Sequence, residues 1–185
     1  MMSKLALSNA LITSATSQRV AGAPGLFEPL IGSWTLEFAG ESIDGVAATS
    51  RGTMTMDRVL DGRAVQDVWM MPHPDPAEPP LFHGTTVRFY DPAITAWRST
   101  WVEPVHGHVI TFIGRAHEGD IVLSSTNRPQ PVRWTFTNIR HSSFMWLGAK
   151  TSNEGQTWTQ YVRMNGKRVP ASNTTLIKWR RHPAK

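Results

Sequence analysis

Residues 82–126 read FHGTTVRFYDPAITAWRSTWVEPVHGHVITFIGRAHEGDIVLSST, in which four short apolar runs are separated by three compact turns. The runs are rich in Trp, Phe, Val, Thr and Ile, and the turns YDPAI, EPVHG and HEGD contain Pro, Gly or Asp. Strands that recur at a spacing of roughly 8–12 residues are typical of antiparallel sandwiches and barrels. The stretch therefore predicts four consecutive antiparallel strands.

The same alternation of strand and turn extends in both directions from this stretch. The Asp-Gly at 61–62 is a strong hairpin signal, and the proline-rich residues 72–80 predict a loop because Pro cannot donate a ladder hydrogen bond. Short connections favour pairing between consecutive strands. We predict an all-β, single-domain, antiparallel up-and-down barrel of about ten strands. The predicted strands are 32–39, 51–59, 64–71, 82–90, 95–103, 108–115, 120–126, 132–139, 143–149 and 156–163.

The two ends of the chain differ in composition from the strand-rich body. Residues 1–25 match a secretory signal poorly, and they predict a short helical segment that could cover one end of the barrel. Residues 26–164 form the predicted barrel, and residues 165–185 form a basic tail. The chain has no Cys and no apolar stretch long enough to cross a bilayer. We expect a cytoplasmic protein without a membrane span.

The net charge of +5 has its origin near the C-terminus. Seven of the 19 Lys and Arg follow Glu154, whereas none of the 14 Asp and Glu do. A basic terminus can contact phosphates, but it is more often a solvated tail. The strands lack basic stripes interleaved with exposed aromatic residues, so we predict that the protein does not bind nucleic acid.

Residues 151–158, TSNEGQTW, form the most specific turn motif in the chain. They resemble the Asp-box of sialidases, Ser/Thr-x-Asp-x-Gly-x-Thr-Trp, with Asn153 at the Asp position. A single copy predicts a hairpin turn in which polar side chains bind main-chain amides and the Trp packs beneath. A propeller would require several copies at a fixed period, which the sequence does not contain.

The stretch Leu30-Ile31-Gly32-Ser33-Trp34 resembles the Gly-x-Trp first strand of the calycin superfamily, which contains the lipocalins and fatty-acid-binding proteins. Residues 84–104 and 132–137 resemble bacterial lipocalin-like families of unknown function. The resemblance implies that Trp34 seals one end of the barrel and that the interior binds an apolar or amphipathic small molecule. It identifies no catalytic residue.

Period-2 alternation places several tryptophans on inferred inner faces. Trp97 and Trp101 share a face with Ser99 and Glu103, and similar faces occur on the strands around Asp67 and the later aromatic residues. Interiors that combine aromatic rings with a few polar groups are typical of small-molecule sites. The alternative is that the rings simply fill the core. The predicted ligand-contacting residues are Tyr90, Trp97, Trp101, Trp134, Phe136 and Trp146.

Five ionisable residues are candidates for acid–base catalysis. Asp67 and Glu103 are the acids, Arg88 and Arg115 the cations, and His83 a base. His83 and Arg88 have opposite parity, so without a bulge only one of them faces the interior. The sequence favours a cofactor-free isomerase, cyclase or lyase, and the alternative is a non-catalytic carrier or sensor of a hydrophobic small molecule.

Cofactor and metal motifs are missing from the sequence. There is no dinucleotide fingerprint or phosphate loop, and His106-Gly107-His108 lacks the further ligands that a zinc site needs. We therefore expect no cofactor and no metal. The expected partner is a small apolar or aromatic ligand, and a homodimer remains open.

Overall fold

A computed structural model describes residues 6–11, 24–38, 50–127 and 129–170. Within these residues, antiparallel strands close into a barrel in which each strand pairs with the next and β1 pairs with β10. The predicted all-β, up-and-down barrel of ten strands is confirmed. The strands are β1 (Gly32–Phe38), β2 (Arg51–Val59), β3 (Ala64–Met71), β4 (Phe82–Asp91), β5 (Ala96–Glu103), β6 (His108–His117), β7 (Asp120–Ser125), β8 (Val132–Thr137), β9 (Ser143–Lys150) and β10 (Thr159–Arg168).

Helical structure in the described residues is confined to the region before β1. It consists of α1 (Ala6–Leu11) and a 3₁₀ turn over Glu28–Leu30. The described helices include none that is long and apolar enough to cross a membrane. Most of the predicted N-terminal segment, and residues 171–185 of the predicted tail, lie outside the described residues.

The strands follow from the alternation of their side chains. In β5, for example, Trp97, Ser99, Trp101 and Glu103 are buried, and the residues between them are exposed. Apolar burial on one face drives this arrangement, because a one-residue shift would move every large ring into water. The inner faces of the strands together form one aromatic core.

The two ends of the barrel are built differently. The connections after β2, β4, β6 and β8 lie at one end, here called the Trp34 end, and those after β3, β5, β7 and β9 lie at the other, the Glu103 end. Phe27 and Leu30 precede β1 and are fully buried in the core. The 3₁₀ turn therefore covers the Trp34 end.

Arg168 fastens the Trp34 end. Its guanidinium donates hydrogen bonds to the main-chain oxygens of Pro29, Ile31 and His141 at 2.5–2.6 Å. It also lies 4.0 Å above the ring of Trp34, whose indole N–H donates to the Leu30 oxygen at 2.8 Å. Burial lowers the pKa of the Arg168 guanidinium below its ordinary value, and the three carbonyl acceptors stabilise the cation there.

The backbone conformation and surroundings of Gly32 explain why the Gly-x-Trp motif begins with glycine. Its φ of +126° is a conformation that favours glycine. A Cβ atom at this position would lie 2.6 Å from Nη1 of Arg168. Glycine is therefore required both by the backbone and by the approach of the arginine.

The final strand differs from the prediction. It was expected over 156–163 but spans Thr159–Arg168, so residues 165–168, assigned to the tail from the sequence, belong to β10. The strand starts later because Thr157 still belongs to the preceding turn, where its N–H binds the Asn153 side chain. It ends later because its C-terminal half pairs with β1 and closes the barrel.

The turn over residues 151–158 has the predicted construction. The hydroxyl oxygen of Thr151 accepts hydrogen bonds from the N–H groups of Asn153 and Gly155, and the Asn153 side-chain oxygen accepts from the N–H of Thr157 at 2.9 Å. Trp158 donates its indole N–H to the Gly155 oxygen. The hairpin prediction is confirmed.

Candidate ligand-binding site

A group of polar residues lies on the inner face of β3, β4 and β5. Asp67, Thr86, Arg88 and Ser99 are each at most 2% exposed. Asp67 pairs with Thr86 across β3 and β4, and Arg88 pairs with Ser99 across β4 and β5. These four residues therefore form a continuous polar patch inside an aromatic core, here called the polar wall.

Asp67 and Arg88 form a buried ion pair within the polar wall. Oδ2 of Asp67 lies 2.6 Å from Nη1 of Arg88, and Oδ1 accepts a hydrogen bond from the main-chain N–H of Thr86 at 3.0 Å. The short ion-pair contact is poorly directed, because neither Oδ2 nor Nη1 satisfies hydrogen-bond geometry. The Arg88 guanidinium also lies 4.9 Å from the ring centre of Phe27. The two charges neutralise each other, but their hydrogen-bonding capacity is only partly used.

Unpartnered polar atoms concentrate at this wall. In the described part of the chain, seven buried side-chain nitrogen and oxygen atoms lack a hydrogen-bond partner, and six of them are on β3, β4 and β5. Buried polar atoms are nearly always hydrogen-bonded, so such a cluster calls for an explanation. Two of the six, Asp67 Oδ2 and Arg88 Nη1, face each other in the ion pair, and the other four are Thr86 Oγ1, Arg88 Nε, Trp97 Nε1 and Ser99 Oγ.

The indole N–H of Trp97 has no hydrogen-bond acceptor among the described residues, unlike those of Trp34 and Trp134. Trp34 donates to a main-chain oxygen, and Trp134 donates to the Tyr161 hydroxyl at 3.1 Å. Trp97 Nε1 is buried, and no described residue accepts its proton. Its ring packs edge-on against Phe27, with 5.1 Å between ring centres, so packing alone fixes its position.

A cluster of four tryptophans occupies the half of the interior towards the Glu103 end. It consists of Trp69, Trp101, Trp134 and Trp146, here called the tryptophan cluster. Trp134 lies 5.7 Å from Trp101 and 5.4 Å from Trp146, and Trp69 lies 5.6 Å from Trp146, between ring centres. Trp101 pairs with Thr86 of the polar wall. The aromatic surface therefore adjoins the polar one.

Gly84 makes room for one member of the tryptophan cluster. A Cβ atom on Gly84 would lie 2.5 Å from the Trp101 ring and 2.8 Å from the main-chain oxygen of Val102. The ring thus lies flat against the backbone of β4, and glycine in the strand permits that close approach.

The structure places the predicted ligand-contacting residues in the core. Trp97, Trp101, Phe136 and Trp146 are buried, and Trp134 and Tyr90 are partly buried and pack against that core. The predicted site residues omitted four residues of this region. Thr86, Ser99 and Trp69 lie on the inner faces of their strands and could have been found from the alternation. No local pattern indicates that Phe27 packs over Arg88.

Glu103 has a structural role in its turn. Its carboxylate accepts hydrogen bonds from the N–H groups of Val105 and His106 at 2.7 and 3.1 Å and lies 2.8 Å from Nδ1 of His106. Burial raises the pKa of Glu103, but the hydrogen bonds from His106, Val105 and the main chain of His83 outweigh it and lower the pKa below its ordinary value. Glu103 is therefore an ionised acceptor that holds the turn between β5 and β6.

His83 and Arg115 lie on the outer face of the barrel, so the structure selects Arg88 over His83 and corrects the choice of Arg115 as an interior cation. His83 is exposed on β4, because the strand has no bulge there and its parity is opposite to that of Arg88. Arg115 is exposed on β6, beyond the inner residues Phe112 and Gly114, and it reaches outward to the Ile94 oxygen at 3.3 Å.

A pocket of about 330 Å³ opens at the Trp34 end. It is an open depression at which two main-chain groups are hydrogen-bonded within the fold. The Arg140 N–H donates to Ser143, and the His141 oxygen accepts from Arg168. None of the predicted site residues lines it, and it is a weaker candidate than the interior because it contains none of the unpartnered atoms.

Two histidines lie beside Glu103 at the turn between β5 and β6. Glu103 and His106 are in contact, and the rings of His106 and His108 stack with 5.8 Å between centres. No group of three or more His, Asp or Glu in the described ranges is arranged to hold a metal ion. The Glu103 carboxylate instead contacts the His106 ring and accepts hydrogen bonds from the main-chain N–H groups of the turn.

Comparison with solved structures identifies a protein of similar fold. An S-type phycobiliprotein lyase from Guillardia theta superposes with a TM-score of 0.50 at 12% identity, over 78% of this chain and 91% of that one. The likeness concerns the fold alone. It agrees with the closed antiparallel barrel, and the calycin resemblance of the Gly-x-Trp strand stays a prediction. No protein-family model matches the chain, and a search of curated proteins found no match.

Proposed function

We propose that the barrel binds a small, mainly aromatic molecule between the tryptophan cluster and the polar wall. The observation that carries this proposal is a group of four buried polar atoms without a hydrogen-bond partner, which lies beside the Asp67–Arg88 ion pair and four packed tryptophans. A core that served stability alone would gain by replacing such polar atoms with apolar ones. A ligand that accepts hydrogen bonds from the wall supplies the reason for keeping them.

Intrinsic fluorescence tests this proposal directly. We suggest a Trp158→Phe, Trp179→Phe background, in which the remaining tryptophans are those on the inner face of the barrel. Titration with a panel of naphthalenes, indoles, terpenoid ketones and fatty acids should quench or shift the emission for at least one aromatic member. Trp101→Phe should weaken that response. If no panel member produces a saturable change in tryptophan emission, the proposal is wrong and the tryptophans serve core packing.

Acid–base conversion of the ligand is a second candidate function. The observation that favours it is the Asp67–Arg88 pair, which provides an acid and a cation on the inner face beside the proposed site. Two of the five residues predicted for such chemistry lie on the outer surface, and Glu103 serves a turn. Catalysis would therefore depend on Asp67 and Arg88.

Chemical recovery of a bound panel member separates the two functions. Long incubation with the wild-type protein, followed by mass spectrometry, should return the molecule unchanged if the protein is a carrier. A new product that Asp67→Asn no longer forms, although it still binds the molecule, would establish an enzyme.

A further inference from the structure

The unpartnered atoms of the interior are mainly hydrogen-bond donors. Arg88 Nε–H and Trp97 Nε1–H can only donate, and the hydroxyls of Thr86 and Ser99 can donate as well. Ser99 of β5 lies directly across from Arg88, and Trp97 lies on the same face of β5, two residues before Ser99. A group that approaches this part of the wall must therefore accept hydrogen bonds.

The charge of the wall decides which kind of acceptor fits. An arginine guanidinium usually binds an anion. In this site, however, the carboxylate of Asp67 already lies 2.6 Å from the Arg88 guanidinium. A ligand carboxylate would add a second negative charge to a site that holds one of each sign and is at most 2% exposed. An uncompensated charge is unfavourable in such surroundings. A neutral acceptor uses the same donors without this cost.

The geometry points to a neutral carbonyl oxygen, carried by an aromatic ring system, as the group that the polar wall receives. This inference rests on the proposed function and adds the chemical class of the ligand. The carbonyl oxygen accepts hydrogen bonds from Arg88 Nε–H and the Ser99 hydroxyl, with Trp97 Nε1–H as a further donor. The ring system lies towards Trp101, which pairs with Thr86 at the edge of the wall.

Three probes of nearly equal shape test the inference. Methyl naphthyl ketone, naphthoate and isopropenylnaphthalene, all substituted at the same ring carbon, each carry a three-atom group with a trigonal carbon that faces the wall. Calorimetric titration of the full chain should show the ketone binding about tenfold more tightly than the hydrocarbon. The carboxylate should bind more weakly than the ketone.

Variants that remove a single hydroxyl test whether the polar wall causes the preference for the ketone over the hydrocarbon. Ser99→Ala should reduce the ratio of ketone to hydrocarbon affinity by about fivefold. Ser124→Ala is the matched control, since Ser124 is exposed on the outer face of β7, and it should leave all three affinities unchanged. Thr86→Val provides a second test on the inner face of β4, and Thr100→Val is its matched control, because Thr100 is exposed on the outer face of β5.

Each result bears on one of the two proposals. Equal binding of ketone and hydrocarbon, or tightest binding of the carboxylate, would overturn the carbonyl inference and leave the proposed function standing. Binding by other panel members but by none of the naphthalenes would also overturn the inference. Failure of every panel member to bind would overturn the proposed function itself.

Discussion

Arg168 and Arg88 each stack on an aromatic ring of the barrel, and the two arginines are used in opposite ways. Arg168, at the Trp34 end, donates to three main-chain oxygens and lies on Trp34. Arg88, in the interior, is more deeply buried but has Asp67 as its ionic partner and an Nε–H that binds no described residue. The first arrangement fastens the fold, and the second leaves donors available inside it.

Substitution of the Asp67–Arg88 pair has the largest expected effect. Asp67→Leu leaves a buried positive charge unpaired and should lower the free energy of unfolding by about 4 kcal/mol. The double variant Asp67→Leu, Arg88→Met removes both charges and should recover most of that loss, because apolar residues can replace a buried ion pair. Urea unfolding of the two variants and the wild type measures the difference. A double variant that is no more stable than Asp67→Leu would show that the interior pair, like Arg168, is a structural fastening.

Arg168→Met should cost roughly 3 kcal/mol, because it leaves three main-chain oxygens at the Trp34 end without their donor. No second substitution can remove those carbonyls, so the loss cannot be compensated in the way expected for Arg88. Lys167→Met is the neighbouring control, since Lys167 is exposed, and it should change stability by less than about 0.5 kcal/mol. If Arg168→Met matches this control in urea unfolding, the fastening role is wrong.

Glu103→Gln tests a third use of a buried charge, in the turn between β5 and β6. The variant should lose about 2 kcal/mol at neutral pH. Because the pKa of Glu103 is lowered in the folded state, its stabilisation is complete above the unfolded pKa of about 4.3 and is lost as the pH falls through the lower folded value.

Thermal unfolding of wild type and Glu103→Gln between neutral and strongly acidic pH should therefore show two curves that converge in acid. Glu78→Gln, in the exposed proline-rich loop, should follow the wild type throughout. A difference between Glu103→Gln and wild type that stays constant with pH would exclude a role for the ionised carboxylate.

The strand pattern was predictable because it is local. Alternation placed Trp97, Ser99, Trp101 and Glu103 on one face, and burial of that face is what sets the register of β5. The same rule left His83 and Arg88 as alternatives, and only the regular pairing of β3 with β4 decides for Arg88. Parity along one strand cannot tell which face is the inner one, and this explains the error at Arg115.

The fastening at the Trp34 end was not predictable from local patterns. Arg168 is separated from Ile31 and Pro29 by 137 and 139 residues, and its position in a basic stretch suggested a solvated tail. Asn165-Gly166 also has the composition of a turn, yet Gly166 is inside β10, where a Cβ atom would lie 2.3 Å from the Phe144 ring. The role of Glu103 was missed for a related reason, since alternation gives burial but not the partner.

The thermal stability of Thr86→Val, Ser99→Ala, with and without methyl naphthyl ketone, tests the central claim most directly. The substitutions remove two buried hydroxyls that have no described partner, so the free variant should be more stable than the wild type, by about 1 kcal/mol. The ketone should stabilise this variant less than it stabilises the wild type. A free variant that is less stable, with an unchanged response to the ketone, would contradict the account and assign the polar wall to the fold.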